Sequence, residues 1–324
     1  MTANEQCSHK PTRFAEYRNW VTDTRRWDHY VPCPGDVIVA TYPKCGTTWM
    51  QRIVNLLIFQ TTEPQPISQI CPWYDLRTGP SIDAVNTMLS AQRHRRSIKT
   101  HAPLDAVPIH EEVRYIHVAR DGRDACLSYH NHITGFTSAT LARLNAVGHG
   151  DAQLNAPYPS VSKDPAEFFH LWLTTSLLEG ATDGYLNVSY FDLENSYWAH
   201  RKLSNLLMVH YVDLKTNLEV EMRRVANFLE IEVRAKVWPA LIQAASFATM
   251  KEQGEELIPN LAALFQEGSR RFFHKGQDGR WKGTFRERDL FTFEEKMSRL
   301  PVNCRNWLTA GRLEAGDPRS MDDR

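Results

Sequence analysis

Short unbroken apolar runs punctuate a chain that is otherwise mixed. Val37-Ile38-Val39-Ala40 follows the turn signal Pro34-Gly35, and a run of that length without polar alternation predicts a strand buried on both faces. After Pro43 to Gly46 the period changes. Trp49, Ile53, Leu56 and Leu57 recur at helical spacing over 47–59, so strand, tight loop and helix follow one another. Runs at 97–100, 115–119 and 206–211 predict further strands, with material between them that can supply helices. Such alternation favours a parallel sheet. Thr216-x-x-Glu219 is a capping-box pattern ahead of Leu218, Met222, Val225 and Leu229, which predicts an amphipathic helix with Glu221, Arg223 and Arg224 on its wet side. Residues 133–165, with Gly148-His149-Gly150 and Pro157-Tyr158-Pro159, read as a long excursion, either a lid over a pocket or a surface insertion. No repeat or composition break marks a second domain.

Composition narrows the class. With 324 residues, 42% of them hydrophobic, the chain can bury one large α/β core. Lys plus Arg and Asp plus Glu number 38 each, so there is no global field to hold nucleic acid or an anionic membrane, and any anion site must be local. Cys7, Cys33, Cys45, Cys71, Cys126 and Cys304 show neither a C-x-x-C pair nor zinc spacing, as expected of reduced thiols in the cytoplasm. Neither a signal peptide nor an integral membrane segment is predicted. The expected layout is an extension over 1–34 packing on the core, one domain over 35–310 with the lid or insertion at 133–165, and a tail over 311–324.

Three stretches have the chemistry to hold anions. In Thr41-Tyr42-Pro43-Lys44-Cys45-Gly46-Thr47-Thr48-Trp49 a buried strand feeds a small-residue loop and a helix start, where free N–H groups and the helix dipole attract phosphate or sulfate. It is not a Walker A loop, because the lysine precedes the only glycine. Arg120-Asp121-Gly122-Arg123-Asp124, followed by Ser128, again sits where a strand meets a helix, and Phe272 to Lys282 contains Lys275-Gly276 and Gly279-Arg280-Trp281-Lys282. Between the first two lies Lys99-Thr100-His101. An imidazole there can take a hydroxyl proton near neutral pH. His94, His110, His117, His130 and His132 have no comparable context, and no metal site is proposed.

In this order the motifs resemble those of cytosolic-type sulfotransferases that use 3′-phosphoadenosine 5′-phosphosulfate (PAPS), in particular bacterial members similar to glycolipid and aryl sulfotransferases. The resemblance spans roughly residues 35–285. It implies an α/β, P-loop-type three-layer fold with a central parallel β-sheet flanked by helices. It also implies PAPS as sulfuryl donor, 3′-phosphoadenosine 5′-phosphate (PAP) as product, and no metal. By the same resemblance Lys44, Cys45, Gly46, Thr47, Thr48 and Trp49 form the 5′-phosphosulfate loop, while Arg120 and Ser128 hold the 3′-phosphate. Tyr211, Ser246, Phe247 and Met250 surround adenine and phosphates, and His274, Lys275 and Gly276 form a second 3′-phosphate element. His101 is the implied general base, and Lys44 backed by Lys99 stabilises the departing nucleotide.

Certain positions depart from that pattern. His274 replaces an arginine, so its contact is weakened or passes to Arg270 or Arg271. Cys45 replaces a serine or alanine, and a nearby lysine and helix N-terminus could lower its thiol pKa. The family's dimer motif is not recognisable after Lys282, which leaves oligomeric state open. Trp73, Tyr74 and Asp75, with the aromatic region of Trp20, Trp27 and Tyr30, are candidates for the walls of a small-molecule or lipid-like acceptor site. Pro72-Trp73-x-Asp75 and Gln92-Arg93-His94-Arg95-Arg96 are similar to glycolipid-sulfating enzymes and favour a lipid, sterol or phenolic hydroxyl. Two other readings are a P-loop-type phosphoryl transferase and a PAP-binding regulator without catalysis.

Overall fold

The computed structural model describes residues 15–322. Its centre is a parallel sheet of four strands, β1 (Val37–Thr41), β2 (Ser97–Thr100), β3 (Arg114–Ala119) and β4 (Leu206–His210), in the order β2-β1-β3-β4. Val39 pairs with Lys99 on one side and Ile116 on the other. Every β1 residue is buried because both faces are covered, which is why the strand reads as a continuous apolar run. Val37 and Val39 pack with Met50, Ile53 and Val54 of α1 (Thr47–Phe59) and with Met222 and Val225 of a later helix. Ile38 and Ala40 face the other core, with Trp172, Tyr190 and Tyr197. The result is a helix–sheet–helix sandwich. The other longer helices are α2 (Ile82–Ala91), α3 (Gly122–Ile133), α4 (Ser138–His149), α5 (Pro165–Thr174), α6 (Tyr190–Ala199), α7 (Leu218–Phe228), α8 (Glu287–Met297) and α9 (Val302–Ala310).

Consecutive elements leave β1 in opposite directions, to β2 on one side and β3 on the other. The loops after the carboxyl ends of these strands therefore diverge and open a crevice, where ligands bind in open α/β sheets.

Some local expectations are corrected. Asn217, not Thr216, caps α7: its side chain accepts from the Val220 N–H, while the Thr216 hydroxyl donates to the Val212 carbonyl of the preceding turn. Glu221 is fully buried rather than wet, because Arg224 and Arg312 both pair with it. Residues 133–165 are not wholly irregular. They contain the twelve-residue α4, capped by the Thr137 side chain. Residues 311–322 of the segment expected as a tail are folded onto the body: Arg201 donates to the carbonyls of Pro318 and Met321. Of the N-terminal extension, residues 15–34 are described, and Trp20, Trp27 and Tyr30 are buried in the core. They form no acceptor wall.

Candidate active site

A cavity of about 650 Å³ occupies the crevice. Each strand contributes its following residues to the wall, with Lys44 to Trp49 (Cys45 excepted) after β1, His101 after β2, Arg120 after β3 and Tyr211 after β4.

The β1–α1 loop has the backbone of an anion cradle. Lys44 and Gly46 both have positive φ, 70° and 102°, and no side chain caps α1. Its first N–H groups are thus left for a ligand. Thr47 hydrogen-bonds the Thr41 hydroxyl at 2.6 Å. Trp49 is anchored by its indole N–H to the Ala245 carbonyl at 2.7 Å and meets Tyr211 edge-on at 5.4 Å. Arg120 stacks on the Tyr211 ring at 4.2 Å and donates to the Lys44 carbonyl and to Asp278, and its Nε is buried without a partner among the described residues. Ser128, Phe247, Met250, His274, Lys275 and Gly276 all line the cavity, and Phe247 packs where a side chain at Gly276 would otherwise stand.

Two predicted donor residues do not reach it. Ser246 caps the helix Phe247–Glu252 by accepting from the Thr249 N–H. Cys45 is fully buried beneath the loop, and burial pushes its thiol pKa well up, contrary to the expected lowering. Arg271 is committed to the Asn131 carbonyl and the Thr134 hydroxyl, and Arg270 lies outside the wall. Arg280, which the sequence motif did not single out, lines it instead, with its guanidinium 3.2 Å from His274 Nδ1.

Lys44 and Lys99 share the cavity with His101. Burial, with Lys99 and Arg120 nearby, pushes Lys44 down to about 7, and burial pushes Lys99 down to about 8. Only cations act on Lys44, whereas Asp75 and Cys71 lie near Lys99, so Lys44 above all gains from a bound phosphate or sulfate. His101 Nδ1 donates to the Thr41 carbonyl at 2.7 Å, which fixes the proton there and leaves Nε2 as the ring's free acceptor. Burial, then Lys99, lowers the His101 pKa well below its ordinary value, so the imidazole is neutral at pH 7.

Trp73 lines the cavity beside His101. Its ring meets His101 edge-on at 4.7 Å, and Lys99 Nζ lies 4.1 Å over it. Tyr74 and Asp75 do not line the wall. Tyr74 is buried 4.5 Å from Trp27, and Asp75 accepts from the Trp27 and Trp73 indoles and the Thr100 hydroxyl. Asp75 thus orients Trp73 from behind. Arg95 and Arg96 lie before β2, at the opposite end of the sheet from the crevice, clamped to Gly35, Leu229 and Asp36. Neither lines the cavity. Val21, Leu76, Met88, Phe136, Leu144 and Tyr158 complete an apolar wall. Sequence reasoning also missed His132, which faces this cavity from α3 beside Lys44. A histidine four residues after Ser128 on one helix was the available signal.

A family model described as the sulfotransferase domain matches residues 34–301. The chain belongs to the sulfotransferase family. It is 30% identical over 322 residues to a glycolipid sulfotransferase of Mycobacterium bovis, covering 94% of this chain and 97% of that one. It is 27% identical to sulfotransferase 1B1 of Mus musculus, covering 85% and 84%. Among solved structures, mouse sulfotransferase SULT7A1 complexed with PAP superposes with a TM-score of 0.59 at 21% identity, covering 84% of this chain and 86% of that one. This sulfotransferase has no helix among the described residues long and apolar enough to cross a membrane.

Proposed function

We propose that this sulfotransferase moves the sulfuryl group of PAPS to a hydroxyl on an apolar acceptor of the lipid, sterol or phenol class, with His101 as general base. The observation that carries the proposal is one cavity holding two buried lysines, Lys44 with only cations acting on it, and an imidazole whose proton is fixed on the far nitrogen. When bound, PAPS supplies the electrophilic sulfur and a phosphate leaving group. His101 Nε2 takes the acceptor's hydroxyl proton as that oxygen attacks. Lys44 and Lys99 meet the negative charge that develops on the leaving side.

The 5′ side of the donor falls to the β1–α1 loop, and its 3′-phosphate to Arg120, Ser128, Lys275 and Arg280. Arg280 stands in for the arginine replaced by His274. Trp49, Tyr211 and Phe247 offer aromatic surfaces for adenine. The buried, unpartnered Arg120 Nε–H fits an anionic ligand, since such a donor is costly to leave unmade. For the acceptor, the apolar wall and the glycolipid activity named for the Mycobacterium bovis relative point the same way. Cys33, Cys45, Cys71, Cys126 and Cys304 are all free, which fits a reducing cytoplasm.

The test is calorimetric binding of PAP to wild type, Lys44→Ala and His101→Ala, with sulfate transfer from PAPS to a panel of phenols, sterols and glycolipids. PAP binding that survives in His101→Ala while transfer is lost supports the roles, and the active panel member identifies the acceptor class. Failure of folded wild type to bind PAP rejects the donor assignment.

A further inference from the structure

We propose that His132 is a positioning residue whose Nδ1 accepts a hydrogen bond from the Lys44 ammonium and holds that cation at the phosphate loop. The inference rests on the donor assignment above and concerns how its central lysine is kept in place.

His132 Nδ1 lies 3.4 Å from Lys44 Nζ. An ammonium has three donors and no acceptor, so the contact requires an unprotonated Nδ1 and places the ring's proton on Nε2. The imidazole is held on several sides, with Phe265 at 4.6 Å, Phe136 at 5.4 Å and Phe272 at 5.9 Å. Phe272 also lies under Lys44, its ring centroid 4.6 Å from Nζ. The lysine therefore sits between an aromatic face and one neutral acceptor. Helix α3 aligns this arrangement with the donor site, because Ser128 and His132 are one turn apart and both line the cavity.

A neutral acceptor suits the task better than a carboxylate. Asp or Glu at this point would orient Lys44 but neutralise it, and would compete with an incoming anion. Imidazole orients the ammonium and leaves its charge for the ligand. The charged and titratable groups acting on His132 are Lys44 from the β1 loop, Lys99 and His101 from β2 and its end, and Arg271 beyond the cavity, with no carboxylate among them. Burial and these neighbours push the His132 pKa well down, which keeps it in the accepting form.

The experiment measures PAP affinity by calorimetry for wild type, His132→Phe and His132→Asn at pH 8 and pH 5.5. Phenylalanine fills the ring's place among the three phenylalanines but removes the acceptor. Asparagine can set an amide oxygen near the Nδ1 position. Losing a hydrogen bond to a charged group lowers the Lys44 pKa by about one unit. His132→Phe should therefore weaken PAP about tenfold at pH 8, where an empty site binds its proton poorly. At pH 5.5, where Lys44 is charged in both proteins, the loss should shrink to less than about twofold. His132→Asn should stay within about twofold of wild type at both pH values. An equal loss at both pH values, no loss in His132→Phe, or an equal defect in His132→Asn overturns the inference. Absence of PAP binding by wild type is a separate result that rejects the donor assignment itself.

Discussion

Gly46→Ala asks whether the phosphate loop depends on a backbone that only glycine tolerates. Gly46 has φ 102° and ψ 19°, a region that costs an L-residue about 1–2 kcal/mol. An added Cβ would lie 3.0 Å from Tyr211 Cδ2 and 3.7 Å from Val118 Cγ1. The Tyr211 ring has little room to retreat, with the Arg120 guanidinium 4.2 Å from its centroid and Trp49 at 5.4 Å. Overpacking of this kind adds about 1–3 kcal/mol. Gly283→Ala is the control, since Gly283 also has positive φ, 73°, but no atom within 4 Å of an added Cβ. Thermal melts and PAP calorimetry on both variants separate the two effects. Gly46→Ala should lower Tm by roughly 3–7 °C and weaken PAP at least about tenfold, because the loop must shift to accommodate the methyl group. Gly283→Ala should show only the smaller backbone cost, with PAP affinity within about twofold of wild type. If Gly46→Ala is no less stable than Gly283→Ala and binds PAP normally, the cradle geometry is not what holds the donor.

Arg280→Leu should weaken PAP about tenfold to hundredfold through loss of a charge-assisted contact, while Arg271→Leu should lower Tm more than affinity because Arg271 braces the end of α3; the reverse pattern would return the phosphate contact to Arg271. The empty-site pKa values of about 7 for Lys44 and about 8 for Lys99 are raised when an anion binds, so PAP binding takes up protons and its affinity falls as pH rises from 6.5 to 8.5. At pH 7.5 the uptake should be roughly one proton, read from binding heats in buffers of different ionisation enthalpy, and zero uptake would contradict lysines with lowered pKa values at the site. In native protein, iodoacetamide should modify exposed Cys33 well before buried Cys45, with or without PAP; rapid Cys45 labelling suppressed by PAP would restore the reactive-thiol reading.

Elements buried on both faces were the most legible part of the fold, because β1 and α1 have local patterns that match their environments. The loops that line the cavity were legible for a related reason: a strand-to-helix turn suited to an anion leaves a contiguous signature. What escaped depended on partners distant in sequence. Glu221 looks solvent-facing within its own helix, and beyond its helix neighbour Arg224 it is paired by Arg312, which reaches it from beyond α9. Tyr74 and Asp75 read as pocket residues beside Trp73, yet they form a turn between Trp73 and Leu76, which face the cavity, and pack against Trp27 instead. Arg280 stood inside a recognised stretch and His132 one turn after Ser128, but what sets each beside the cavity, Arg120 and Lys44 among others, lies on other elements. Helix α4 was missed because it buries only Leu144 and Gly148, too little to produce an apolar stripe.

The orientation of His101 rests on the Thr41 carbonyl, a main-chain atom. Changing the side chain at position 41 removes the weaker hydroxyl contact at 3.2 Å but leaves that acceptor in place. In a histidine–carboxylate pair one substitution can delete the orienting group. Here the proton's location is inherited with the register of β1 against β2, so it can drift only if the sheet itself does. If His101 is the base proposed above, a mutational scan should place intolerance at His101 and much less at position 41, and a comparison of sequences restricted to side-chain identity would overlook half of that pair.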